Sequence, residues 1–142
     1  MENNEIKKRV SAVVIGEDRI LLIKRVKPGI EYYTFPGGSV EEGESDEVAM
    51  SRETLEELGI GGKIQQKIFE VNNNGKKEIY FLVGKYVGVP ELGGPEKERM
   101  SEQNQYHLEW VNLAKIGSMG NVYPYEAVKK LLEFINKKKQ AS

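Results

Sequence analysis

The sequence predicts an α/β fold, a mixed β-sheet sandwiched between helices in an α/β/α arrangement. Three observations carry that expectation. Short β-branched runs recur along the chain, separated by turns rich in Gly, Asn and Pro. One run, Ile79 to Val87, is apolar on both faces, with Ile79, Phe81, Val83 and Val87 alternating against Tyr80, Leu82 and Tyr86. A strand of that kind is covered on both sides. Two segments with helical spacing, one central and one terminal, supply the covering layers.

The runs Val10 to Ile15 and Ile20 to Ile23 flank Gly16-Glu17-Asp18-Arg19 and read as a hairpin or two neighbouring strands. Lys24 and Arg25 close the second run before a loop from Val26 to Glu31. Arg25 either offers its planar guanidinium to a phosphate or is a strand-end charge facing water. Tyr32, Tyr33 and Phe35 then lead into Pro36-Gly37-Gly38. Such aromatics either stack on a base or pack into the core, and at least one of the three is expected inward. Gly37 and Gly38 let the backbone approach an ion or phosphate closely. Arg25, Tyr33, Phe35 and Gly37 are thus the candidate substrate contacts.

A helix is predicted after Glu44. Ser45 suits the N-cap, Asp46 and Glu47 suit the positive end of the helix dipole, and Gly59 stops the helix after Leu58. Val48, Leu55 and Leu58 are the residues expected to hold it against a core. Glu53, Glu56 and Glu57 share roughly one face, and Arg52 can pair with Glu56 four residues on. Like charges at this spacing destabilise a helix by about 0.2–0.5 kcal/mol per pair. A divalent cation reverses that sign, and Mg²⁺ takes carboxylate oxygens while completing its shell on water and substrate phosphates.

Lys63 to Val71 is expected as a strand, joined to the strand Ile79 to Val87 across Asn72-Asn73-Asn74-Gly75, where Asn-Gly suits a type I′ hairpin. Gly88 to Gln105 is a long connection carrying Glu91, Glu96, Glu98 and Glu102. Its length suggests a lid or binding loop, against the alternative that its glutamates simply solvate it. Tyr106 to Val111 resumes as a strand, with His107, the one histidine, read as a strand-surface or satisfied core residue. Pro124 fits the first turn of a final helix whose stripe is Val128, Leu131, Leu132 and Ile135. Lys137 to Lys139 suit its C-terminal end and solvent.

The 142 residues fit a single domain spanning 1–142, with 39% hydrophobic and 30% charged residues. A formal net charge of −1 argues against a nucleic-acid polymer as partner. Zero cysteines rule out disulfides and a thiol nucleophile, and no Ser–His–Asp set is suggested around the lone His107. The start, Met1-Glu-Asn-Asn-Glu-Ile6, lacks an apolar signal core, and no run approaches a membrane span, so a cytoplasmic location is the default expectation. Monomer and homodimer are both left open.

The stretch from Gly38 to Ile60 resembles the Nudix box, G-x5-E-x7-R-E-U-x-E-E-x-G-U with U aliphatic. The matching residues are Gly38, Glu44, Arg52, Glu53, Glu56, Glu57, Gly59 and Ile60. Thr54 stands where the first aliphatic residue is usual, and its valine-like shape suggests a packing variation without loss of chemistry. The resemblance implies metal-assisted hydrolysis of a pyrophosphate bond in a nucleoside diphosphate linked to a further group X. It implies Mg²⁺, for which Mn²⁺ can substitute, held by Glu53, Glu56 and Glu57 with the Gly38 carbonyl. Glu53 would also accept a water proton, and Arg52 and Glu44 would brace the cluster. A MutT-like nucleoside triphosphate is the first expectation for the small-molecule substrate. ADP-ribose or another nucleotide sugar is the alternative, and a non-catalytic ligand sensor the third reading. In some relatives a glutamate on the loop before the late strand completes the site, which makes Glu98 and Glu102 the candidates here.

Overall fold

The computed structural model describes residues 7–94, 97 and 99–141. In chain order its elements are β1 (Lys8–Gly16), β2 (Arg19–Lys27), β3 (Ile30–Thr34), β4 (Gly37–Ser39), α1 (Asp46–Leu58), β5 (Gly61–Asn73), β6 (Lys76–Val87), β7 (Gln105–Asn112), α2 (Leu113–Ile116), β8 (Val122–Tyr123) and α3 (Tyr125–Ala141). The strands run in the order β5-β6-β1-β2-β3-β8, with β4 paired to β1 and β7 to β2. The pairs β1–β6 and β3–β8 are parallel and the others antiparallel, so the sheet is mixed as expected.

Two cores flank the sheet. Tyr80 and Leu82 of β6 join Val13, Leu22, Val128 and Leu131 on the α3 side. Ile79, Phe81 and Val83 join Val10, Leu21, Met50 and Leu58 on the α1 side. The two-faced apolar pattern of β6 therefore reports a strand between two helical layers. The hairpin between β5 and β6 turns at Asn74 (φ 52°) and Gly75 (φ 82°), the two positive φ values of a type I′ turn.

Three expectations change. The β1–β2 hairpin pairs only at its tip, Ile15 with Ile20 and Gly16 with Arg19. Beyond the tip β1 takes β4 and β6 as neighbours, while β2 pairs with β7 from Arg19 to Val26. The two strands diverge because each satisfies its backbone groups on another partner, and the opening between them becomes a cavity. The loop expected from Val26 to Glu31 is instead a two-residue turn, with Lys27 opposite Ile30 and Gly29 at φ 79°. Pro28-Gly29 is the turn signal that explains it, since proline and then a positive-φ glycine suit a type II turn.

The third correction concerns α1. Its caps are as read: Ser45 Oγ accepts from the Val48 N–H at 3.2 Å, and Gly59 is left-handed with its N–H on the Leu55 carbonyl. The buried side, however, is Ala49, Met50, Thr54, Glu57 and Leu58, while Val48 and Leu55 are exposed. Two of those buried positions are polar, so apolar periodicity undercounts the true face and favours the wrong one. Thr54 tolerates burial because its hydroxyl donates to the Ser51 carbonyl at 2.9 Å.

Truncation should separate the two faces. Leu58→Ala is expected to cost about 2–5 kcal/mol through a cavity in the α1 core. Leu55→Ala should change stability by about 0.5 kcal/mol or less. Urea unfolding midpoints of the two variants measure the contrast.

Candidate active site

Strand β4, the loop that follows it and the middle of α1 are fastened together by one side chain. Arg52 grips Glu44 with a two-pronged contact, Nε to Oε2 at 2.7 Å and Nη2 to Oε1 at 2.9 Å. Its Nη1 donates to Glu53 Oε1 at 2.9 Å and to Glu56 Oε2 at 3.1 Å, and Nη2 also reaches the Ser39 carbonyl at 3.0 Å. The guanidinium fork thus spans β4, the β4–α1 loop and two turns of helix. Its charge and hydrogen bonds hold the Glu44 carboxyl down to about 2, helped by the Glu41 N–H.

Glu53 and Glu57 turn inward from α1. Glu57 is 3% exposed, and its Oε2 accepts from the Gly37 N–H at 3.1 Å. The Glu53 side chain is 14% exposed and abuts Gly38, where a Cβ would collide with the carboxylate. Gly37 is the stricter requirement, since a Cβ there would run into the Val10 backbone carbonyl of β1, which cannot swing aside as the Glu53 side chain can. Burial pushes the Glu53 carboxyl up, against the opposing pull of Arg52. Glu56 is half exposed at the rim.

The donor set suits a hard divalent cation, being carboxylate oxygens beside a backbone that only glycine brings so close. The three glutamates do not converge in this arrangement. Among the described residues no group of three Asp, Glu, His or Cys side chains stands ready to hold an ion, because Glu53 and Glu56 bond to Arg52 and Glu57 bonds to Gly37.

Next to these carboxylates the divergence of β1 and β2 opens a cavity of about 340 Å³. Arg25 and Phe35, both expected at the substrate, line it. Arg25 lies 3.8 Å over the Tyr106 ring and bonds to Asn104 and to the Tyr32 hydroxyl. Phe35 is 2% exposed and meets Tyr80 edge-on, so it packs inward, as at least one of the three aromatics is expected to. Tyr33 is not among the lining residues. It packs at the α3-side core and donates to Glu109 Oε2 at 3.0 Å.

The cavity also contains residues that the sequence does not single out, chiefly Arg9, Lys76, Glu78 and Arg99. Arg9 belongs to no motif in the sequence, and only the pairing of β1 with β4 and β6 brings it beside the carboxylates. Of the loop glutamates, Glu96 and Glu98 lie outside the described residues. Glu102 is exposed and does not line the cavity. The loop does meet the helix, with the Glu91 and Gly93 N–H groups taking the Leu58 and Glu57 carbonyls at 2.9 Å each. It thereby satisfies C-terminal carbonyls of α1. His107 is exposed on β7 beside Gln105.

Fold and site together define an α/β/α domain built around a glutamate helix clamped to a glycine turn. The NUDIX domain model matches residues 6–131, and the chain belongs to the Nudix family. Among solved structures, the chain is similar to a MutT protein from Methanosarcina mazei Go1 at 26% identity (TM-score 0.70, covering 94% of this chain and 95% of that one). A MutT NUDIX hydrolase from Burkholderia pseudomallei is 29% identical (TM-score 0.60, 76% and 84% covered). An ADP-ribose pyrophosphatase from Streptococcus suis 89-1591 shares the fold at 19% identity (TM-score 0.63, 91% of each chain). No curated protein sequence gives a significant match. No described helix is long and apolar enough to cross a membrane.

The clamp gives a pH signature. A carboxyl depressed in the folded state contributes stability above its unfolded pKa and loses it as pH falls toward its folded value. For Glu44 that window runs from about 4.5 down to about 2. Glu44→Gln should therefore lower stability at pH 6 and lose less than the parent chain between pH 6 and pH 3. Denaturant midpoints at the two pH values check this.

Proposed function

We propose that the chain is a Mg²⁺-dependent pyrophosphohydrolase acting on a nucleoside diphosphate linked to X, with a nucleoside triphosphate as the favoured substrate. One observation carries the reading: two inward glutamates of α1 meet a glycine turn at the edge of a cavity lined by cationic side chains. The MutT names among the solved structures support the triphosphate.

Glu53, Glu56 and Glu57, with the Gly38 carbonyl, would hold the metal. When bound, Mg²⁺ neutralises phosphate charge and lowers the pKa of water. Glu53 is the residue assigned to accept the water proton, being the carboxylate whose affinity for protons burial raises. Arg52 acts through others: it keeps Glu53 and Glu56 in place and restrains their mutual repulsion. Gly37 fixes Glu57 through its N–H. On the cavity side, Arg9, Arg25 and Lys76 offer hydrogen-bond donors and positive charge to phosphate oxygens.

A panel of nucleoside triphosphates, ADP-ribose and nucleotide sugars with Mg²⁺, assayed for phosphate, pyrophosphate and nucleotide products, tests the proposal. Triphosphates should be cleaved with the highest kcat/KM. Preference for ADP-ribose would move the chain to the diphosphatase reading, and no turnover of any nucleotide would remove it from the enzymes. Glu57→Gln keeps size and a hydrogen-bond acceptor but loses the charge, and kcat should fall about 100-fold or more with little change in Tm. Glu102→Gln, altering an exposed residue away from the cavity, should leave kcat unchanged.

A further inference from the structure

Glu78 is 5% exposed on β6 and lines the cavity, yet the proposed hydrolysis has no use for it. Burying a carboxylate is costly unless it is hydrogen-bonded. Glu78 Oε2 accepts from Asn73 Nδ2 at 3.2 Å, and Oε1 accepts from the Tyr80 hydroxyl at 2.9 Å. Burial and then the Glu78 charge push the Tyr80 hydroxyl well above its ordinary pKa, so that it remains a donor. A carboxylate has about four acceptor positions, and these two bonds occupy one on each oxygen. Acceptor capacity is left over in a group that lines the cavity.

The surroundings give that capacity a meaning. Arg9, Arg25, Lys76 and Arg99 also line the cavity and can only donate. The other carboxylate among the described lining residues is Glu57, which belongs to the catalytic end. Strand β1 runs between the two, pairing Ser11 with Gly37 on one side and Arg9 with Glu78 on the other. A substrate whose phosphates meet Glu57 and the cations must place its remaining part in the same cavity, where Glu78 is the carboxylate not committed to chemistry among the described lining residues.

We propose, resting on the hydrolase reading above, that Glu78 is a specificity-determining residue whose carboxylate accepts a hydrogen bond from the nucleoside, either an exocyclic amino group of the base or the 2′-hydroxyl of the sugar. A nucleoside turning a carbonyl toward Glu78 sets acceptor against acceptor and leaves both desolvated without a partner. Sites built to bond a donor reject analogues lacking it far more strongly than apolar pockets reject a missing methylene.

The test measures kcat/KM for CTP against UTP, in which a carbonyl replaces the exocyclic amino group, and for GTP against ITP, in which hydrogen replaces it. ATP against dATP, differing by a sugar hydroxyl, completes the set. Equilibrium binding of the corresponding monophosphates reads the same contrasts without turnover. The parent chain should favour the member that carries the exocyclic amino group or the 2′-hydroxyl in at least one pair by about tenfold or more. Glu78→Gln, isosteric but carrying donors of its own, should reduce that ratio to about threefold or less. Tyr80→Phe keeps the carboxylate and should keep the ratio, which separates recognition from support of the β5–β6 hairpin. Collapse of the base-pair ratios locates the donor on the base, and collapse of the ATP/dATP ratio locates it on the sugar. Ratios equal in Glu78→Gln and the parent, or equal loss on every substrate, would overturn the inference while leaving the hydrolase intact. Absent turnover with a Glu78-dependent contrast in monophosphate binding would instead remove the hydrolase reading and keep the recognition.

Discussion

Arg52 is the constraint on which the site depends. Three carboxylates on adjacent turns of one helix repel, and two of them lie at a protein surface partly closed to water. A guanidinium that serves Glu44, Glu53 and Glu56 together turns that repulsion into a brace. Lysine could not do the same, because a single ammonium lacks the planar fork that reaches a loop, a strand carbonyl and a helix at once. The loop to Glu44 and the β4 backbone at Ser39 are thereby tied to α1, and the glycine turn is set against the inward glutamates.

The second determinant is topological. Had β1 and β2 paired along their length, Arg9 and Arg25 would sit on neighbouring strands of a closed sheet. Their separation beyond the Ile15–Ile20 pair opens the space in which cations, aromatic edges and Glu78 face one another. Cations gather beside the carboxylate helix, so the positive field bears on both: Arg9 opposes the rise in the Glu53 carboxyl and in the Tyr80 hydroxyl alike. A phosphate-bearing ligand gains from donors on one wall and a hydrogen-bonding floor on another.

Much of this was legible in the sequence, for particular reasons. The caps of α1, the Asn74-Gly75 turn and the two faces of β6 are local signals, and local chemistry decides them. The resemblance of Gly38 to Ile60 to the Nudix box agrees with the family to which the chain belongs. Hydrophobic periodicity failed where polar residues occupy core-facing positions: Thr54 and Glu57 are buried, so Val48 and Leu55 looked like the packing face and are not. The cavity was not legible at all. Arg9, Glu78 and Tyr106 are far apart in the chain and carry no common motif, and only strand order brings them together. Tyr33 and Phe35 share an aromatic run, yet Phe35 reaches the cavity wall and Tyr33 bonds to Glu109.

That the α1 glutamates and the glycine turn form a divalent-cation site is tested most directly by thermal unfolding with and without saturating Mg²⁺ at matched ionic strength. A cation bound by the folded chain alone raises Tm through linkage. The parent chain should show that rise, and a Glu53→Gln/Glu57→Gln variant, still folded, should show none. Identical melting curves for the parent chain in both conditions, or an equal rise in the double variant, would contradict it.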